Sequence, residues 1–115
     1  MIFQLQSGTN IHSLSSGKVI HLGFNGANGY TISIETKNII VSYSHISPNF
    51  IININDTVYQ NQIIAKVGPK YIENIEKNPY HDLNGKQTNG STTGPHLHLN
   101  IKIDGKAIDP ISIFN

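Results

Sequence analysis

Two histidines stand two residues apart in the segment Ser91–Ile103, which reads STTGPHLHLNIKI. If this segment forms a β-strand, His96 and His98 lie on one face of a sheet, while Leu97 and Leu99 lie on the other face. Two imidazoles that point together from a sheet, just after a Gly-Pro turn, can bind a metal ion, or one can be a ligand while the other moves protons. An exposed polar sheet face is the commoner explanation of an isolated pair of this kind. The surrounding sequence is therefore needed to distinguish a functional site from such a surface.

Two other histidines lie in segments with strand periodicity. In IIVSYSHIS, alternation places Val41, Tyr43 and His45 on one face, and His45 by itself is typical of a surface residue at a strand end. In KVIHL, His21 alternates with apolar neighbours and is predicted to be a solvent-facing strand residue. Neither histidine indicates a catalytic site without further support.

Residues 69–87, PKYIENIEKNPYHDLNGKQ, show no alternation and contain two prolines. They are predicted to be a loop insertion on the surface beside the histidine face, with one or two helical turns at most over Tyr71–Asn78. A His-Asp pair in a loop is usually solvated. If the loop folds over the histidines, however, His81 and Asp82 are candidate metal ligands.

Composition narrows the class of protein. The chain has 115 residues, of which 37% are hydrophobic and 13% are charged, so we expect a single domain over residues 1–115. A net charge of +1 without a basic cluster argues against a nucleic-acid partner. There is no apolar run near the ~20 residues of a membrane span and no secretory leader. Cysteine is absent, which excludes disulfides and thiol catalysis.

The elements that must position the histidines are strands. Ile- and Val-rich segments bounded by Gly, Asn or Pro predict strands at Lys18–Leu22, Thr31–Glu35, Ile39–His45, Ile63–Val67 and His96–Ile103. Turn signals separate them, among them Asn28-Gly29, Asn89-Gly90 and Asp104-Gly105. Since helices do not alternate with these strands, the predicted fold is an all-β antiparallel sandwich or barrel.

The ordered segments resemble the lysostaphin/LytM-type zinc metallopeptidases, which cut peptide bonds in bacterial peptidoglycan. The stretch STTGPHLH is similar to the family signature TGxSTGPHLHF, and YSHI at residues 43–46 is similar to its YxHL strand end. Weaker similarities follow the same order along the chain. They are GTNIHS at 8–13 with GKV at 17–19 (GTPVxA…GxV), the glycine-rich hairpin at 26–34, NDTV at 55–58 with QNQII at 60–64 and VG at 67–68 (GDxVxxGQxIGxxG), and IDP at 108–110 (VDP).

The resemblance implies the lysostaphin-type fold (the duplicated hybrid motif), a zinc cofactor, and a periplasmic or extracellular location in the bacterial cell envelope. It implies that His98 is a zinc ligand. It also implies that His45 and His96 are the catalytic pair that orients the attacking water and stabilises the tetrahedral intermediate, which is chemistry that imidazoles beside a zinc-bound water can perform.

The sequence departs from this family at one motif. The other two zinc ligands of the family come from HxGxD, whose Asp falls on Ile2, or on Met1 if one residue is inserted, and whose His falls before the first residue. We therefore expect a degenerate or truncated domain that binds peptidoglycan peptides or envelope proteins without cutting them. The alternative is an active zinc endopeptidase whose missing ligands come from the insertion or from upstream chain.

Two other interpretations of His45, His96 and His98 stay open. His98, His96 and His45 together could form a rearranged metal site, which would use the catalytic pair as ligands. A β-sandwich phosphocarrier could use His45 and His96 as two nearby histidines.

Overall fold

The computed structural model describes residues 2–73, 75–76, 78–92 and 94–109, and the regular structure of these ranges is almost entirely β. Nine strands and one three-residue 3-10 helix (Gly26–Asn28) are found there. The strands are β1 (Ile2–Phe3), β2 (Asn10–His12), β3 (Gly17–Phe24), β4 (Tyr30–Thr36), β5 (Ile39–Ser44), β6 (Thr57–Val58), β7 (Ile63–Lys66), β8 (Leu97–Ile103) and β9 (Lys106–Ile108). All their pairings are antiparallel, which confirms the predicted all-β antiparallel class.

Seven of these strands form one sheet. Its order is β1-β8-β5-β4-β3-β6, and β9 also pairs with β8. The remaining two strands, β2 and β7, form a small sheet of their own. The strands β3, β4 and β5 are consecutive neighbours, whereas β5 pairs with β8 from much later in the chain. The segments that carry His45 and His98 therefore lie side by side in the large sheet.

The hydrophobic core lies between the inward face of the large sheet and the two-stranded sheet. The large sheet contributes Ile32, Ile34, Val41, Tyr43 and Leu99, and the small sheet contributes Ile11, Ile64 and Ala65. Ile32 and Ile34 are fully buried, and each such side chain contributes roughly 1.5–3 kcal/mol through removal of its apolar surface from water. Burial of one face of each central strand fixes the register, because a slip of one residue would expose the whole apolar set.

Strand β8 has the predicted register. Leu97, Leu99 and Ile101 are buried, and Ile103 packs partly buried against the core. His98 is half-buried on the opposite face. The strand begins at Leu97, one residue later than predicted, so His96 lies just outside it.

The turn after β8 also follows its sequence signal. Asp104 and Gly105 have φ of 52° and 78°, as the two central residues of a type I′ hairpin require. This turn returns the chain as β9 along the free edge of β8. Strand β1 pairs with the same edge nearer the start of β8, so the two short strands cover it in succession.

The segment 69–87 leaves the sheets between β7 and β8, and its described residues contain no named strand or helix. One isolated bridge joins Tyr71 to Thr88 at the base of the excursion, and a second joins His81 to Gln87 within it. Its side chain Ile72 is buried. These observations confirm the predicted low strand content, whereas the division of the chain into one domain with an insertion stays a prediction.

Within the described ranges, no helix is long and apolar enough to cross a membrane.

Candidate active site

The outward face of the large sheet carries rows of side chains that lie next to one another across its strands. The row at the level of His98 continues through Ser44 and Thr31, both small and buried. Thr31 donates a hydrogen bond of 3.3 Å to the Ser44 hydroxyl. A cavity of about 360 Å³ lies over this face from His98 to Lys102, and we call it the groove. Small side chains at this level allow a ligand to approach the sheet closely.

His45 reaches the outward face because the chain turns at that residue. It follows the last residue of β5 and has a left-handed φ of 61°, which is uncommon for a residue with a Cβ atom. Alternation along β5 had placed His45 on the face of Val41 and Tyr43; that prediction is wrong, because the left-handed residue redirects the ring towards the rings of His96 and His98. His45 is also only 5% exposed rather than a surface residue.

A main-chain carbonyl fixes the ring of His45. Its Nδ1 lies 2.7 Å from the carbonyl oxygen of Asn89, and since a carbonyl only accepts, Nδ1 must carry the proton. Nε2 is then the unprotonated nitrogen with a free lone pair. Burial lowers the pKa of His45 below its usual value, the Asn89 carbonyl opposes that shift, and the neighbouring charges of His96 and His98 add to it.

His96 is held in the same manner by its own loop. Its Nδ1 lies 2.9 Å from the carbonyl oxygen of Gly94 and 3.1 Å from the hydroxyl of Thr92. The carbonyl again places the proton on Nδ1 and leaves Nε2 as the reactive nitrogen. The Thr92 hydroxyl in turn donates to the Gly94 carbonyl at 2.6 Å, so the loop before β8 is internally bonded around the ring.

The three histidines form one cluster of rings. The centroids of His45 and His96 are 4.5 Å apart, and those of His45 and His98 are 6.2 Å apart with nearly parallel planes. The two histidines that the resemblance pairs therefore lie close together. Burial, with a contribution from the charge of His96, lowers the pKa of His98 as well. At neutral pH, His45 and His98 are consequently neutral imidazoles, which is the form that accepts a proton or binds a metal.

Asn89 holds the cluster together, and the sequence indicated it only as part of a turn. It is fully buried. Its side-chain oxygen accepts the main-chain N–H of Tyr30 at 2.8 Å, and its amide nitrogen donates to the carbonyl of Ile46 at 2.9 Å. A Cβ atom at Gly29 would collide with Asn89, so glycine is required there. Burial of an asparagine cannot be read from an Asn-Gly pair, which usually marks an exposed turn.

Comparison with known proteins assigns the chain to a family. The model of peptidase family M23 matches residues 1–81, a range that includes His45 and ends before His96 and His98. The chain belongs to peptidase family M23. This confirms the family that the motifs resemble.

Solved structures share the fold of this M23 domain. The catalytic domain of lysostaphin from Staphylococcus simulans superposes with a TM-score of 0.75 at 24% identity, over 97% of this chain and 74% of that domain. LytU gives a TM-score of 0.72 at 26% identity, over 97% of this chain and 68% of that one. A zinc-containing peptidase from Vibrio cholerae gives 0.71 at 24% identity, over 94% of this chain and 28% of that one. The chain thus spans roughly three quarters of the lysostaphin domain and under a third of the Vibrio protein.

The described residues of this M23 domain do not fit the zinc ion on which the family depends. A catalytic zinc takes about three protein ligands and keeps one open position. Among residues 2–73, 75–76, 78–92 and 94–109, no group of three or more His, Asp or Glu side chains is arranged to hold a metal. Ile2, directly across from His98 in the pairing of β1 with β8, has no ligand atom. The described part therefore does not form the rearranged three-histidine site, and His98 as a zinc ligand stays a prediction.

The described residues of segment 69–87 border the site, and none of them belongs to a group arranged to hold a metal. His81 lines a cavity of about 400 Å³ with His96 and Ile2, so the segment does reach the cluster. Asp82 is engaged within the loop, where its carboxylate accepts the Tyr71 hydroxyl at 2.8 Å. That bond is the main cause that lowers the pKa of Asp82. The Asp82 carboxylate therefore forms its hydrogen bond within the loop, and the structure does not place it at His98.

Proposed function

We propose that this M23 domain binds peptidoglycan peptides along the groove and does not cleave them. The observation that carries the proposal is the pairing of Ile2 with His98. Residues directly opposite in an antiparallel pair have Cβ atoms about 4.5–5.5 Å apart on the same face, so residue 2 is where a second ligand would meet His98. It is also the position at which the resemblance places the Asp of HxGxD. An isoleucine there supplies only a hydrocarbon surface.

The histidine cluster alone is too weak a catalyst for peptide hydrolysis. His45 and His96 each hold a proton on Nδ1 and present an unprotonated Nε2, so they can orient a water molecule or accept a proton. General acid–base catalysis of this kind typically contributes ~10²–10⁴-fold. Enzymatic hydrolysis requires accelerations of ~10⁶-fold or far more, so the remaining factor would have to come from an activating group.

The polar lining of the groove supports the binding of a peptide. Hydroxyl, amide and imidazole groups line it beside the cluster. Such groups can pair with the N–H and C=O groups of an extended peptide. The fold shared with lysostaphin and LytU supports wall peptides as the ligand, and hence a periplasmic or extracellular location. An envelope protein that offers an extended segment would use the same groove.

An active zinc endopeptidase is the second candidate. It is favoured by the position of β1, because chain joined to Ile2 from upstream would lie beside β8 and close to His98. A histidine phosphocarrier is disfavoured, since phosphotransfer needs an accessible nitrogen and His45 is only 5% exposed.

The test combines binding and digestion. We expect the chain to bind soluble wall peptides by calorimetry and to release no fragments from purified peptidoglycan, with or without added zinc. A variant with Ile2→Asp and the residues His-Xaa-Gly placed before Met1 restores the HxGxD spacing, and it should gain stoichiometric zinc. The same extension with Ile2 retained is the matched control and should not. Digestion by the unmodified chain would refute the proposal, and absence of peptide binding would refute it as well.

A further inference from the structure

A second polar row crosses the groove next to the row of His98. Strand pairing places His21, Ser33, Ser42 and Asn100 side by side on β3, β4, β5 and β8. All four line the groove. The hydroxyls of Ser33 and Ser42 bond to each other at 2.7 Å, which uses one of their two hydrogens and leaves the other for a ligand.

His21 has an unsatisfied nitrogen in this row. Its Nε2 is buried and has no hydrogen-bond partner among the described residues. A buried polar atom without a partner destabilises the folded protein, so such an atom in a native structure calls for an explanation. His21 lies on the outward face of the sheet, as predicted, but its side chain is half-buried in the groove rather than fully exposed to solvent.

A β-bulge lies directly beside His21. The pairing of β3 with β4 is regular from Phe24 back to His21 and then shifts between His21 and Val19. The extra residue, Ile20, is left without a partner in the pairing and lines the groove with His21. Bulges beside active sites commonly redirect a side chain, and this one turns Ile20 to the outward face, where it is exposed beside His21.

We infer that the row of His21, Ser33, Ser42 and Asn100 is a subsite for the main chain of an extended peptide, and that the ligand completes the hydrogen bonding of His21. This inference rests on the proposed peptide-binding function. Rows on one sheet face are two residues apart, about 6.6–6.8 Å, which is also the repeat of two residues in an extended ligand. A peptide that lies along the strands therefore presents successive groups of the same orientation to the His98 row and to this one.

The small hydroxyls of the row make room for such a main chain, while His21 and Asn100 supply longer polar groups on its two sides. Because Nε2 is shielded from solvent, water does not satisfy it in the free protein. We expect the bound ligand to turn the ring so that this nitrogen faces the cavity, where an amide of the ligand pairs with it.

The experiment measures binding of a synthetic stem tetrapeptide, L-Ala–D-Glu–L-Lys–D-Ala, by NMR titration and calorimetry. His21→Leu keeps a similar volume without a polar atom, and we expect its Kd to rise about 5–10-fold, as loss of one hydrogen bond implies. His21→Gln retains a polar atom near the Nε2 position and should stay within about twofold of the unmodified chain. His12→Leu, which changes a strand histidine that does not line the groove, is the matched control and should leave the Kd unchanged.

A stability readout separates binding from a structural role. His21→Leu removes an unpaired buried nitrogen, so its urea midpoint should stay the same or rise while its affinity falls. An unchanged Kd in His21→Leu, beside clear binding by the unmodified chain, would overturn the subsite and leave the proposed function standing. A parallel loss of stability and affinity would also overturn it. If the unmodified chain binds neither this peptide nor other wall fragments, the proposed function itself fails.

Discussion

Replacement of Asn89 by alanine tests whether one buried amide organises the histidine cluster. The substitution removes the acceptor of the Tyr30 N–H and the donor to the Ile46 carbonyl. A fully buried group left without a partner costs about 1–3 kcal/mol, and the part-buried Tyr30 N–H adds about 1 kcal/mol, so the expected loss is about 2–4 kcal/mol. Domains of this size are typically stable by only about 5–15 kcal/mol.

The assay is urea denaturation followed by tyrosine fluorescence and circular dichroism. With a slope of about 1.5 kcal/mol/M, a loss of 3 kcal/mol lowers the midpoint by about 2 M. Asn49→Ala is the matched control, because Asn49 is exposed and its side chain makes no hydrogen bond among the described residues, and we expect a change within about 0.5 kcal/mol. A loss below about 1 kcal/mol in Asn89→Ala, at an unchanged slope, would show that the buried amide does not hold these segments together.

Two further predictions concern the same region. Burial lowers the pKa of His45 and of His98 in the folded protein. Just below the usual histidine pKa of 6.5 the unfolded chain therefore binds more protons than the folded one, so the free energy of unfolding should fall as the pH drops from about 7 towards 5. The urea midpoint of His45→Gln should depend less on pH than that of the unmodified chain. A Cβ atom at Gly68 would collide with a main-chain carbonyl, whereas one at Gly94 meets nothing within 4 Å. Gly68→Ala should accordingly lower the thermal midpoint by several degrees while Gly94→Ala leaves it nearly unchanged, and equal midpoints would contradict the packing described.

The parts of the fold that could be predicted from the sequence are those with a strong local pattern. Strand β8 alternates without interruption, so the burial of Leu97 and Leu99 and the outward position of His98 followed from the period of two. The shortest strands could not be predicted in the same way. Strands β1 and β6 have two residues each, and a pattern of two residues carries no period.

The site was harder to predict than the fold, for reasons that belong to particular residues. His45 was identified by family resemblance, but its orientation depends on a left-handed φ that alternation does not reveal. His21 lies on the face that alternation predicted, but its partial burial in the groove is not visible in a local pattern, and the neighbouring Ile20 is turned outward by a bulge. Asn89 was taken for a turn residue, because its burial depends on segments far away in the sequence. In each case a long-range or irregular backbone feature decided the position of the side chain.

The pairing of β5 with β8 also has a consequence for the order in which the molecule folds. The hairpins of β3, β4 and β5 connect neighbouring segments, whereas Ser44 pairs with His98 only after a loop of about fifty residues has closed. Contacts of such high sequence separation form slowly, so we expect the hairpins to protect their amides from hydrogen exchange before β8 does in a pulse-labelling experiment. His45 follows β5, whereas His96 and His98 lie at the start of β8, so this late pairing brings them together. A chain in which β8 has not yet paired with β5 would then contain every residue of the cluster and still have no site.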